Sequence, residues 1–270
     1  MIEDILDRIK NRKKDSHKYD SGNLLVVGGS WRYSGSPVFN SLAGYRSGVD
    51  IVSTAAPGRA ADIAATFSPS LITVPLDGDF VSPKHFDSLL DLSSESDAMV
   101  IGGGIGTKKE TKNVVNRLIE KSDLPLVVDA DAIRAVSHRP GVLDSNCVVT
   151  PHLAEFRDLV GMDPSEDAVI EASTELGCVM LLKGKEDIIT DGDEVYRNTT
   201  GNEYMTVGGT GDTLAGIAGS LLAQGIEPIK AAYGAAWING RAGEMAAEEK
   251  GVGLTPDDIV EMIPDAIHQG

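Results

Sequence analysis

Residues 24–47, LLVVGGSWRYSGSPVFNSLAGYRS, run from four aliphatic residues through a glycine turn into a stretch opened by Pro37. An apolar run with no polar face is the mark of a strand buried on both sides in a parallel sheet. Proline suits the first turn of a helix, so Pro37–Ser47 is predicted as the helix that follows. The same unit recurs along the chain. Strands are predicted at Leu24–Val27, Ile51–Ala55, Leu71–Val74, Met99–Ile101, Leu126–Val128, Val148–Thr150 and Val179–Leu182. Helix-like stretches such as Lys109–Lys121 and Glu166–Leu176 lie between them. This alternation implies an α/β fold, a three-layer α/β/α sandwich around a mostly parallel central sheet. Ile188–Thr190 and Glu194–Arg197 flank Asp191-Gly192-Asp193 and read as an antiparallel hairpin. The C-terminal part is helical over Thr213–Gln224, Pro228–Glu249 and Pro256–Ile263, and Ile2, Ile5, Leu6 and Ile9 share one face of an N-terminal helix. No repeat or linker interrupts the pattern, so residues 1–270 are expected to form one domain.

The composition sets outer bounds. With 41% hydrophobic and 24% charged residues the chain can bury a core, which excludes wholesale disorder. Its 41 acidic against 24 basic residues give a net charge of −17, a balance that argues against a nucleic-acid partner. No apolar run reaches the length of a membrane helix, and the opening MIEDILDRIKNRKK is not a signal peptide. A cytoplasmic protein without a membrane partner is expected. Cys147 and Cys178 sit in apolar stretches and are predicted buried and reduced.

In an open α/β sheet, ligands bind beyond the carboxyl ends of the strands, and six turns fall there. Val207-Gly208-Gly209-Thr210-Gly211-Asp212-Thr213-Leu214-Ala215-Gly216 combines converging backbone N–H groups with a helix start, an anion hole suited to phosphate. Asp212 either caps that helix or accepts a proton from a hydroxyl beside the phosphate, as phosphoryl transfer to an alcohol requires. Gly102-Gly103-Gly104-Ile105-Gly106 only partly matches a dinucleotide fingerprint, because its third glycine falls on Thr107. The Gly28–Ser36 loop can fold over a ligand, with Ser36 near the next helix start. Of Asp129 and Asp131, one can cap a helix and the other face the cleft. His152, in Thr150-Pro151-His152, sits at the ligand edge. Glu155 either holds Mg²⁺ or closes a capping box with Thr150 or His152. The Leu182-Lys183-Gly184-Lys185 turn either sends an ammonium or its backbone toward nucleotide phosphates or leaves a solvated lysine.

Taken in order, these segments, with Ser16-His17-Lys18 and Gly201-Asn202, resemble the ADP- or ATP-dependent NAD(P)H-hydrate dehydratases of the ribokinase-like superfamily. The combination of Thr-Pro-His-x-x-Glu with Gly-Gly-Thr-Gly-Asp is the more specific part of the likeness. It implies a nucleotide co-substrate, with Mg²⁺, that phosphorylates the stray hydroxyl of (6S)-NADHX or NADPHX; loss of phosphate then restores NADH or NADPH. ADP is expected as the donor, giving AMP and phosphate. By the same resemblance Asp212 is the base, Ser36, Gly104 and His152 hold the hydrate with it, and Lys183, Gly184, Lys185, Glu186, Asp187, Gly209, Thr210 and Gly211 line the nucleotide. Glu155 is a candidate metal ligand. A homotetramer and a separate epimerase are the implied partners, since the chain opens directly on this domain. Where the family usually has Ala, Gly, Thr, Pro and Val, this chain has Ser36, Ala154, Asp187, Glu203 and Thr213. The competing expectations are a ribokinase-like vitamin kinase, acting on a thiazole or pyrimidine alcohol, and a non-catalytic nucleotide sensor.

Overall fold

The computed structural model describes residues 1–12, 15 and 17–270, so Ser16 of the Ser16-His17-Lys18 segment lies outside the described residues. The strands are β1 (Asn23–Val27), β2 (Ile51–Pro57), β3 (Ile72–Leu76), β4 (Ala98–Ile101), β5 (Leu126–Val128), β6 (Cys147–Val149), β7 (Val179–Leu182), β8 (Asp187–Thr190) and β9 (Val195–Asn198). The helices among the described residues are α1 (Ile2–Lys10), α2 (Gly35–Arg46), α3 (Gly58–Ala65), α4 (Phe86–Ser94), α5 (Lys109–Lys121), α6 (Asp131–Val136), α7 (Leu153–Val160), α8 (Glu166–Leu176), α9 (Thr210–Ala223), α10 (Pro228–Lys250) and α11 (Pro256–Gln269). All strands join one sheet in the order β3-β2-β1-β4-β5-β6-β7-β8-β9. The first seven of the chain run parallel, and β8 and β9 are antiparallel, as the Asp191-Gly192-Asp193 turn requires.

Continuous apolar runs give the sheet two buried faces. Leu24, Val26, Val52, Val100, Val127 and Leu181 pack under α1, α9, α10 and α11. Leu25, Val27, Met99, Ile101, Val128 and Met180 pack under α4 to α8 on the other side. Both cysteines are buried and free. Burial pushes the Cys147 thiol up to about 12 and raises that of Cys178 as well.

The departures from expectation have local causes. β3 begins at Ile72 rather than Leu71 and runs through Pro75. As the edge strand it has an open side on which no N–H donor is needed. α11 continues past Ile263 through Pro264 to Gln269, because Ile263, Ala266 and Ile267 keep a buried face beyond the proline. α9 opens three residues earlier than predicted, at Thr210. No counterpart of the short helices α3 and α4 is predicted from the sequence, and α6 and α7 are implied there only through their capping residues, without bounds.

The order of strands reverses between β1 and β4, where chain progression turns from one edge of the sheet to the other. Such a switch point opens a crevice at the carboxyl ends of the two strands. Here the crevice is walled by Gly28-Gly29 after β1 and Gly102–Gly104 after β4, and Gly29 N–H donates to Gly103 O at 2.8 Å.

Candidate active site

α9 brings the acid to this crevice. Its buried run from Thr213 to Ala223 fills the space between sheet and neighbouring helices, and it lies close against α2. A Cβ on Gly216 would stand 2.8 Å from Asn40 Cα, so only glycine permits that approach. Asn40 Nδ2 in turn donates to the Asp212 carbonyl at 2.7 Å. The N-cap is Gly209 with φ +109°, and no side chain caps the helix. Asp212 therefore stands in the first turn with its carboxylate uncommitted to capping.

That carboxylate meets the glycine wall. A Cβ on Gly103 would lie 2.8 Å from Asp212 Oδ1 and 3.0 Å from Ser36 Cβ, and one on Gly104 would lie 3.4 Å from Ser36 Oγ. Of the residues expected to hold the hydrate, Ser36, Gly104 and Asp212 are thus brought together. Burial, and next the Asp129 carboxylate, raise Asp212 from 3.8 to about 7, against the Ser36 hydroxyl and the Lys183 ammonium, which lower it. A carboxylate half-charged near neutrality is suited to take a proton from an alcohol.

The charged residues beside it sit at the ends of adjacent strands. Asp129 follows β5 and is 2% exposed. Its Oδ1 accepts from Thr150 Oγ1 at 2.7 Å and from Lys183 Nζ at 2.9 Å. Asp131 instead accepts the Gly106 N–H at 3.0 Å. Neither aspartate caps α6. Burial by itself would lower the Lys183 ammonium, but Asp129, Glu155 and Asp212 outweigh it and hold the group above its usual value. Lys183 also stands 3.3 Å from where a Cβ on Gly211 would lie, so its charge leans over the first turn of α9.

Behind Gly211 opens a cavity of about 610 Å³, within the usual range for a small-molecule site. Of the predicted nucleotide residues, Lys183, Gly184, Lys185, Asp187, Thr210 and Gly211 line it; Glu186 and Gly209 do not. Glu186 is exposed, while Gly209 is packed on Pro256 and Phe39. Gly184 and Asp187 are partnered within the wall itself. The Gly184 N–H donates to Asp187 Oδ1 at 3.0 Å, and Asn198 Nδ2 holds the other oxygen of Asp187. Sequence reasoning missed the far wall, formed by Thr199, Thr200, Met205, Ala236, Asn239 and Gly240. Its signals in the sequence are the Gly201-Asn202 pair and the small-residue run of α10 from Ala231 to Ala236.

His152 and Glu155 stand apart from the cavity lining. His152 is the N-cap of α7: its Nδ1 accepts from the Ala154 and Glu155 N–H groups, while Glu155 Oε2 accepts from the His152 N–H. Two donated bonds at Nδ1 leave the proton on Nε2, and the side chain is 51% exposed. Glu155 is buried in this capping box, the second of its two expected roles. Among the described residues no three His, Cys, Asp or Glu side chains converge as a metal site.

Comparisons with known proteins bear on the fold and the family. In overall shape the chain is similar to a ribokinase-like superfamily protein from Enterococcus faecalis (TM-score 0.88, 25% identity, 98% of this chain and 94% of that one). It is also similar to the ADP/ATP-dependent NAD(P)H-hydrate dehydratase of Bacillus subtilis co-crystallised with ATP/Mg²⁺ (TM-score 0.85, 22% identity, 100% and 97%). In sequence it is 42% identical to the bifunctional NAD(P)H-hydrate repair enzyme of Pyrobaculum aerophilum, over 96% of this chain and 53% of that protein. It is 38% identical to the ADP-dependent (S)-NAD(P)H-hydrate dehydratase of Cenarchaeum symbiosum, over 98% and 95%. The chain thus spans about half the length of the bifunctional relatives and nearly all of the single-function one. A model of the family described as NAD(P)H-hydrate dehydratase matches residues 24–265, all but the first residue of the sheet, and the chain belongs to that family.

Proposed function

We propose that the protein repairs (6S)-NADHX and NADPHX, using ADP as phosphoryl donor and releasing AMP and phosphate. The observation that carries this is the pairing of a proton-accepting carboxylate, Asp212, with an anion-binding turn, Gly211, in one helical turn between two spaces. On one side lies the Gly103–Ser36 wall, where the hydrate's ring belongs; on the other lies the cavity for the nucleotide. Asp212 takes the proton of the ring hydroxyl, and that oxygen attacks the terminal phosphorus over Gly211 as the bond to AMP breaks. Phosphate is then expelled with its C–O bond electrons, assisted by the ring nitrogen lone pair, and loss of a proton from the adjacent carbon restores the dihydronicotinamide. Lys183 lies where it can balance charge on the transferred group.

Mg²⁺ enters this scheme on the nucleotide. That ion commonly uses one or two carboxylates and the substrate's own phosphates. Bound there, it would draw charge from the phosphoryl oxygens. Glu155 is set aside as its ligand because the capping box holds it. His152 is kept as a hydrate contact through its half-exposed imidazole, whose Nε2 lies 3.5 Å from Glu155 Oε1. The relatives' names support the substrate and nucleotide, and bifunctional relatives support a need for epimerase activity. We further infer a cytoplasmic homotetramer in which residues 1–270 act as one unit. No helix among the described residues is long and apolar enough to cross a membrane.

The test is to incubate the protein with NADHX or NADPHX, Mg²⁺ and ADP or ATP. Absorbance of the reduced nicotinamide should return in step with AMP, or with ADP when ATP is the donor. Phosphorylation of a thiazole or pyrimidine alcohol instead, with the hydrates untouched, would refute the proposal.

A further inference from the structure

Asp129 and Thr150 have no part in the scheme above, yet they form the most enclosed polar cluster at the site. Asp129 follows β5, Thr150 follows β6 and Lys183 follows β7, three neighbouring parallel strands. Their backbones are locked to one another: Thr150 N–H donates to Val128 O at 3.1 Å and Lys183 N–H to Pro151 O at 2.8 Å. Thr150 is fully buried, and its hydroxyl donates to the same Asp129 oxygen that receives the ammonium. Directly after Asp129 the chain passes through Ala130 at φ +50° and ψ −122°, a conformation that L residues rarely adopt and that tends to persist where function demands it.

A buried ion pair is weak evidence for stability, since apolar residues of like volume often do as well. Its location suggests another use. Three carboxylates, Asp129, Glu155 and Asp212, act on the single Lys183 ammonium. Left to choose, that ammonium could turn to Asp212, which would occupy the base and draw charge away from Gly211. We propose, building on the phosphoryl-transfer reading, that Asp129 is a positioning residue: backed by Thr150, it holds Lys183 over Gly211 for the nucleotide's terminal phosphate and keeps it off the Asp212 carboxylate. The charged and hydroxyl groups that face Asp212 are Asp129 from β5, Lys183 from β7 and Ser36 from α2, with Glu155 on α7 acting on Lys183.

The test compares the wild-type protein with Asp129→Asn, Thr150→Val and Thr150→Ser, measuring ADP affinity by calorimetry and kcat and KM for the hydrate across pH. Asp129→Asn is expected to weaken ADP about tenfold and to lower kcat by about 10- to 100-fold. The acid limb of its kcat/KM profile should move down by about one pH unit, because Asp212 loses a like charge and gains an opposite one. Thr150→Val should shift both readouts in the same direction by less, and Thr150→Ser, which keeps the donor, should restore them. A merely structural pair would lower Tm and leave the acid limb and ADP affinity in place, and that outcome overturns the inference. If Asp129→Asn fails to fold, Thr150→Val against Thr150→Ser decides: equal affinities and equal acid limbs overturn it. A wild-type protein that binds no adenine nucleotide overturns the functional proposal and this inference together, whereas an active wild type with unaffected variants overturns this inference alone.

Discussion

Replacing Asp212 by asparagine should remove activity and add stability, both for one electrostatic reason. The carboxyl moves from 3.8 to about 7 on folding because burial and Asp129 disfavour its charge. A raised carboxyl binds its proton more tightly folded than unfolded, so stability falls as pH rises from about 4 toward 7 and the penalty is complete above that. At 1.36 kcal/mol per pH unit the full penalty is at most about 4 kcal/mol. Asparagine has nearly the same shape, can still bond Ser36 and carries no charge. Denaturant unfolding at pH 8 should therefore show Asp212→Asn more stable than wild type by about 1–4 kcal/mol, with the difference shrinking toward zero at pH 4. Turnover of the hydrate should fall by about 10² to 10⁴, the usual worth of a positioned base, while ADP still binds. A variant that is less stable at pH 8, or whose stability difference is flat in pH, would refute the assignment of Asp212 as a half-buried, unpaired base.

Three further outcomes follow from the same geometry. Gly103→Ala places a methyl group 2.8 Å from Asp212 Oδ1; hydrate turnover should fall by at least about tenfold while ADP affinity by calorimetry stays near wild type. In Gly211→Ala the methyl group meets the Lys183 ammonium at 3.3 Å, so ADP should weaken about tenfold with little change in Tm, since the lysine head can move. His152→Asn keeps an N-cap for α7 and His152→Ala does not, so only the alanine variant should lose about 1 kcal/mol of stability. Both should raise KM for the hydrate if the imidazole Nε2–H contacts it; KM unchanged in both would confine His152 to capping.

The layers and most strands were legible because parallel strands buried on both faces announce themselves as unbroken aliphatic runs, as in Leu24–Val27 and Val179–Leu182. Glycine clusters at their ends marked the crevice for the same reason that a Cβ at Gly103 would strike Asp212. What stayed hidden depends on contacts distant in sequence. Gly201-Asn202 and the Ala236–Gly240 part of α10 become cavity walls only when α10 crosses β9 and the loop after it. Asp187, read as a nucleotide residue, spends its oxygens on Gly184 and Asn198. Glu155 and His152 satisfy each other, a local pairing that the Thr-Pro-His-x-x-Glu spacing permits and that only the folded backbone distinguishes from a ligand pair.

α9 carries the putting-together of this chemistry in one piece. Gly211 and Asp212 are consecutive residues at the tip of a rod roughly 20 Å long, and that rod is wedged along its buried length between the sheet and α2. Whatever shifts the rod moves the phosphate seat and the proton acceptor by the same vector. Damage at its far end, around Leu221 or Leu222, should accordingly surface as losses of affinity and of turnover that rise and fall in concert, while the spacing between phosphate and base is preserved.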